Sequence, residues 1–258
     1  MMRVLLALCM GLVLSACDGA GPQAPGRTAE KEAAVDINPP VRPADFAVKP
    51  CGRNETAPCL LVLAGGKRLL FGAPAGVGNE IPRDDLARLD GLFLFSLRPE
   101  EVEGLDEVRN LSWQAGRLQT LDVTGPTGTS GLIDGLNRAY EVSDALIFVE
   151  DGAPAGGFDA ALLDVGLEVT RQVQVFDTGD LNVEAVAGHN DRVSYRIVYR
   201  DINDDWHALF LQPCGAPDMA AGEMEIGEVD QTRIACTDGA YGDDWPFAQT
   251  RFMFKSGG

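Results

Sequence analysis

Leu92-Phe93-Leu94-Phe95-Ser96-Leu97-Arg98-Pro99-Glu100-Glu101-Val102-Glu103-Gly104-Leu105 decides how the rest of the chain is read. The apolar run Leu92 to Phe95 has the pattern of a strand buried on both faces of a parallel sheet. Pro99 stands where a helix would begin, and proline suits the first helical position because its missing N–H would have no partner there. Glu100 and Glu101 fall in the first turn, where acids favour the positive end of the helix dipole. A strand running into a loop and a helix is a usual place for chemistry in an α/β fold.

The surrounding composition suits a globular domain with a real core. The chain has 258 residues, 45% hydrophobic and 23% charged, enough for one large domain or two small ones. Its net charge of -18 argues against nucleic acid as a partner, because a phosphate backbone is met by clustered Lys and Arg.

The stretch and its flanks resemble the metallo-β-lactamase family, in particular its ribonuclease Z and arylsulfatase-like branch. That branch carries His-x-His-x-Asp-His-x-x-Gly-Leu at the corresponding turn and holds two zinc ions with it. Anchored on Gly104-Leu105, the two first histidines fall on Ser96 and Arg98, the aspartate on Glu100 and the third histidine on Glu101. Gly65-Gly66-Lys67-Arg68-Leu69-Leu70-Phe71-Gly72 resembles the family's strand that ends in aspartate, with Gly72 in the acid's place. Gly125-Pro126-Thr127-Gly128-Thr129 resembles its Gly-Pro-x-Gly-Thr loop, with a helix expected over Leu132 to Tyr140. Val193-Ser194-Tyr195-Arg196-Ile197, preceded by His189, resembles its tyrosine-arginine strand. The likeness runs from Cys59 to Pro217 and implies an α/β fold, a metallo-β-lactamase-like αββα sandwich shortened at the C-terminus.

The zinc centre that the resemblance implies has few of its residues. Such a centre needs several neutral imidazoles with carboxylates and outer hydrogen-bond partners. The chain has two histidines, His189 and His207. Arg98 places a fixed positive charge where a cation would sit. No metal and no other cofactor is expected. Gly72, Ser96, Arg98, Glu100, Glu101 and His189 are read as a vestigial cleft.

Ahead of this region, residues 1–16 read as a lipoprotein signal peptide. Arg3 precedes the apolar run Val4 to Leu14, too short for the roughly 20 residues that span a bilayer. Leu14-Ser15-Ala16-Cys17 looks like a bacterial lipobox, which makes Cys17 the expected lipid attachment site. More than one acyl chain gives stable anchoring, and Asp18 in the following position favours the inner membrane over the outer. Residues 17–45, with Pro39, Pro40 and Pro43, read as a flexible Pro/Ala/Gly tether. A coil of that length spans about 30 Å on average. The domain is expected over 46–258, facing the periplasm.

Beyond the membrane the environment is oxidising, so Cys51, Cys59, Cys214 and Cys236 read as two disulfides. Proximity favours Cys51–Cys59 and Cys214–Cys236 among three possible pairings. A hairpin is expected around Gly65-Gly66, a short helix over Asp84 to Leu89 and a strand over Leu118 to Val123. Val169 to Phe176, Asn182 to Ala187, Ser194 to Tyr199 and His207 to Leu211 read as antiparallel strands, the last two joined by a hairpin turn at Asp201 to Trp206.

The function expected from this sequence is a non-catalytic, periplasmic binding or partner module anchored to the membrane by lipid. It would pair with a second copy or with an intact relative of the same fold. One alternative is a metal-independent hydrolase rebuilt around Ser96, Arg98 and Glu100. Another is a lipoprotein that binds a small ligand in the old cleft.

Overall fold

The computed structural model describes residues 42–52, 57–219, 230–236 and 252–255. Cys17, the leader and all but the last four tether residues lie outside that set. Those last four close a turn in which the Asp45 carboxylate accepts from the Arg42 backbone N–H at 2.7 Å.

Among the described residues, two sheets carry the fold. β1 (Phe46–Pro50), β2 (Leu60–Ala64) and β3 (Lys67–Phe71) form an antiparallel meander. Gly65 and Gly66 make the two-residue turn between β2 and β3, with φ of 56° and 76°. Positive φ at both central residues matches the twist of the flanking strands, which is why two glycines stand there. β4 (Gly91–Phe93), β5 (Leu121–Pro126) and β6 (Leu163–Val169) continue the sheet in parallel from β3. β12 (Phe252–Lys255) adds an antiparallel edge beside β1.

The second sheet runs β11-β10-β9-β8-β7. Its strands are β7 (Val173–Asp177), β8 (Leu181–Ala187), β9 (Val193–Arg200), β10 (Trp206–Gln212) and β11 (Asp230–Ala235). The pairs from β7 to β10 are antiparallel and β11 lies parallel to β10.

Alternation along the strands builds two cores. Phe93 and Phe95 join Phe71, Tyr195, Ile197 and Leu209 between the sheets, while Leu92 and Leu94 join Leu61, Leu70 and Val123 against the helices. The apolar run is therefore apolar on both sides because both sides are covered. Among the described residues, five α-helices flank the first sheet: α1 (Val77–Glu80), α2 (Arg83–Leu86), α3 (Pro99–Val102), α4 (Leu105–Gln114) and α5 (Thr129–Glu150). Among the described residues no helix covers the outer face of the second sheet. Val198, Ala208 and Phe210 pack there with Met219, at the end of the segment that follows β10.

This is the expected α/β two-sheet sandwich, with local differences; among them, the helix expected over Asp84 to Leu89 is shorter and earlier, Arg83–Leu86. The run Val169 to Phe176 is not one strand: the chain bends at 170–172, so β6 belongs to the first sheet and β7 to the second. Alternation cannot distinguish one long strand from two that change sheet. The helix expected over Leu132 to Tyr140 extends from Thr129 to Glu150. The strand expected over Leu118 to Val123 is shifted to Leu121–Pro126, since Leu118 is 68% exposed. Both disulfides pair as proximity favours, with Cα separations of 5.0 Å for Cys51–Cys59 and 4.8 Å for Cys214–Cys236.

Candidate functional site

The C-terminal ends of β3, β4 and β5 converge on the segment 94–104, the usual position for a site in a parallel sheet. β4 continues as Leu94-Phe95, and the Leu94 N–H donates to the Thr124 carbonyl at 2.8 Å. The start of β9 closes this end from the other sheet. The Val193 N–H donates to the Phe95 carbonyl at 2.8 Å, and the Tyr195 hydroxyl donates to the Leu94 carbonyl at 2.7 Å. Burial raises the Tyr195 pKa well above the ordinary tyrosine value, so its hydroxyl stays a donor to that carbonyl.

Glu101 is the centre of the arrangement. It is 2% exposed although it lies in the first turn of α3. The Ser96 hydroxyl donates to its Oε2 at 2.8 Å, and the Arg192 guanidinium donates to its Oε1 at 2.8 Å. The Ser96 oxygen also accepts from the Arg98 backbone N–H at 3.1 Å. The Glu101 carbonyl accepts from the Ala73 N–H at 3.2 Å, which ties α3 to the loop after β3. Glu101 is thus not simply a partner of the helix dipole; its buried carboxylate pairs with the partly buried Arg192 and ties α3 to the start of β9.

Gly72 lies one residue beyond β3 with φ of 82°. A β-carbon there would overlap the Pro58 carbonyl oxygen and press on the Phe95 ring. Pro58, next to the Cys51–Cys59 disulfide, thereby occupies the space a side chain at this position would need. Gly72, Ser96 and Glu101 are brought together at the strand ends. Arg98 and Glu100 are not: both are exposed. His189 is exposed at the tip of the β8–β9 hairpin, which the Gly188 N–H closes on the Arg192 carbonyl at 2.8 Å. His207 pairs instead with Asp201, at 3.3 Å.

The two zinc ions that the resemblance implies do not fit these residues. The buried Glu101 carboxylate has a donor on each oxygen, the aspartate position holds a glycine with no room for a side chain, and a guanidinium already supplies the positive charge. Among the described residues, no three His, Cys, Asp or Glu side chains gather to hold a metal. Ser96 has a carboxylate partner, but at 2% exposure its hydroxyl is not open to a substrate.

The Gly125-to-Thr129 turn resolves similarly. At the start of α5, Glu168 Oε1 accepts from the Gly128 N–H (3.0 Å), the Ser130 N–H (2.8 Å) and the Ser130 hydroxyl (2.7 Å). The chain's own carboxylate fills the place an anion would take at this helix end. The two Ser130 bonds chiefly hold the Glu168 carboxyl below the usual glutamate range, with a smaller contribution from Gly128. A lowered folded pKa gives stability that is present above the unfolded value of about 4.3 and lost as pH falls through the folded one. Glu168→Ala is expected to cost about 0.5–1 kcal/mol at pH 7, a modest figure because the carboxylate is largely solvated. The difference from wild type in urea denaturation should shrink below about pH 4.

Sequence reasoning missed Arg192 and Glu168 as partners in these networks, and missed the Arg109–Asp144 pair between α4 and α5. Arg192 stands at the start of a strand that the pattern identifies, but nothing local connects it with Glu101, 91 positions away.

No family profile matches the chain, and no curated protein matches it in sequence. Solved structures do resemble it. The short form of human tRNase Z matches with a TM-score of 0.47 and 16% identity, over 67% of this chain and 71% of that one. The metallo-beta-lactamase fold protein YhfI from Bacillus subtilis matches with a TM-score of 0.43 and 10% identity, over 72% and 78%. A diphosphatase of the PhnP family matches with a TM-score of 0.44 and 12% identity, over 67% and 68%. Likeness at these identities concerns the course of the backbone and says nothing of activity.

Proposed function

We propose that this chain is a non-catalytic binding module on a metallo-β-lactamase-like sandwich, anchored through Cys17 and facing the periplasm. The observation that carries this reading is the Ser96–Glu101–Arg192 network. A site built for hydrolysis leaves its carboxylate free for a metal or for a proton transfer. Here that carboxylate is 2% exposed and bound on both oxygens. The anchor rests on the lipobox reading of Leu14 to Cys17, and a tether over residues 17–45, as the composition leads one to expect, would let the domain meet a protein partner away from the bilayer. The rebuilt hydrolase is less well supported, because Arg98 and Glu100 are exposed while Ser96 is buried.

Elemental analysis of the purified chain tests the proposal. Less than about 0.1 zinc per chain is expected, with a thermal midpoint that a chelator leaves unchanged, since removing a structural metal would shift it by many degrees. Stoichiometric zinc, or turnover of an ester or phosphodiester that is lost in Ser96→Ala, would overturn it.

A further inference from the structure

The chain enters the folded part at the end of the sandwich opposite the site. Phe46, the first residue of β1, pairs with Ala64, the last of β2. In the turn that follows, Gly66 lies against Pro43 and Gly65 against the Tyr199 ring. The parallel strands β3 to β6 start at this end, and α5 finishes here, about 33 Å from its own start. The turn between β9 and β10, residues 201–205, closes the second sheet at the same end.

Eight large apolar side chains stand exposed among the described residues, and five of them, Leu118, Phe148, Val149, Phe158 and Ile202, gather at this end. Ile202 is 62% exposed, at the tip of its turn. The Phe148 and Phe158 rings lie 6.2 Å apart. Leu118 adjoins them, since a β-carbon on Gly156 would sit 2.8 Å from its Cα. Trp206, half-buried at the start of β10, borders the Ile202 turn, with the Arg200 guanidinium 5.7 Å from its ring centroid. Apolar tips bordered by a tryptophan suit the boundary between bilayer and water.

We infer that the end of the sandwich carrying Leu118, Phe148, Phe158 and Ile202 docks on the bilayer that holds the acylated Cys17, so that the Ser96–Glu101–Arg192 end is turned away from it. The inference rests on the anchor proposed above, and the tether expected over residues 17–45 decides the occupant. A coil of that length spans about 30 Å on average. It keeps the end where the chain enters close to the lipid, at an effective concentration on the order of millimolar. The opposite end could reach the bilayer only if the same stretch first ran the ~33 Å length of the domain. Charge does not assist. Arg42–Asp45, Lys67–Asp90, Arg68–Asp85 and Arg200–Asp180 pair four cations of this end within the chain, whereas attraction to anionic lipid uses clustered Lys and Arg that are free to meet it. The apolar tips therefore carry the contact, which is weak alone and becomes stable as a second signal beside the acyl chains.

The test uses the chain expressed with its leader in a bacterial host, purified and returned to phosphatidylcholine vesicles. Cys51, Cys59, Cys214 and Cys236 are held in disulfides, so one added cysteine takes one spin label. Leu118→Cys, Ile202→Cys and, at the opposite end, Arg98→Cys are labelled and exposed to oxygen, which enters the bilayer, and to a nickel chelate, which stays in water. The ratio of oxygen to nickel collisions is expected to be about three-fold or more higher at 118 and 202 than at 98, as for side chains seated among the headgroups. Equal ratios at all three positions in an acylated chain would overturn the docking alone. Cys17 without acyl chains, read from the intact mass, would overturn the anchor and the docking with it. Labels at 118 and 202 shielded from both reagents would assign this end to a protein contact and overturn the inference as well. Because both positions are exposed on separate loops, either one tests it if the other variant misfolds.

Discussion

Gly72→Asp, the substitution that supplies the acid at the position where the resemblance puts one, is expected to leave the chain unable to fold. Three costs add. The backbone has φ of 82° there, and a residue with a β-carbon pays about 1–2 kcal/mol in that region. The new β-carbon overlaps the Pro58 carbonyl oxygen, and moving that carbonyl means moving the segment tied to Cys51. Overpacking of this kind costs about 1–3 kcal/mol. The carboxylate itself would be buried without a partner, at a further cost of several kcal/mol. Against a total stability of about 5–15 kcal/mol, the sum is decisive. The measurement is soluble yield and the urea midpoint, beside Gly179→Asn as a control. Gly179 has φ of 89° but open space around it, so its replacement isolates the conformational cost alone. Normal folding of Gly72→Asp would show that the Pro58 segment yields readily and that the site is less closed than described.

The second large effect is expected at Arg109–Asp144. Arg109 is 0% and Asp144 1% exposed, and they meet through two bonds, Nη1 to Oδ1 at 3.0 Å and Nη2 to Oδ2 at 2.5 Å. The Arg109 Nε donates to Asn137 at 3.2 Å, and its guanidinium lies 5.2 Å from the Tyr140 ring centroid. This pair fixes the middle of α5 on α4, where few apolar residues of α5 face inward. Arg109→Met leaves the Asp144 carboxylate buried alone and should cost about 3–5 kcal/mol in urea denaturation. Arg109→Met with Asp144→Leu should recover most of that loss, because the attraction between two buried charges barely exceeds the cost of drying them. Arg117, close by, responds as well. Burial foremost, and the Arg109 charge second, lower its pKa to about 10, so removing Arg109 takes away the smaller of the two causes. A double variant as unstable as the single one would show that hydrogen-bond geometry, not charge balance, sets the helix position.

Several features were legible in the residues because each depends only on near neighbours. Leu92 to Phe95 announced a strand covered on both faces, Gly65-Gly66 a two-residue turn, and the cysteine spacing both disulfides. The likeness in four stretches ordered these pieces into two sheets. The change of sheet at 170–172 and the continuation of α5 to Glu150 were not legible, since apolar periodicity records that a face is buried but not what buries it.

The sequence by itself determined the strands, the turns and the scarcity of zinc ligands. It also determined where Ser96, Glu101 and Gly72 stand along the chain. Only the tertiary structure decided that Glu101 turns inward while Glu100 faces solvent, that Arg192 meets it, and that Glu168 fills the helix end after Gly128. The reason is physical. Hydrophobic patterning and turn chemistry act over a few residues, whereas a buried charge is satisfied by whatever partner the closed sandwich brings within about 3 Å, at any distance along the chain.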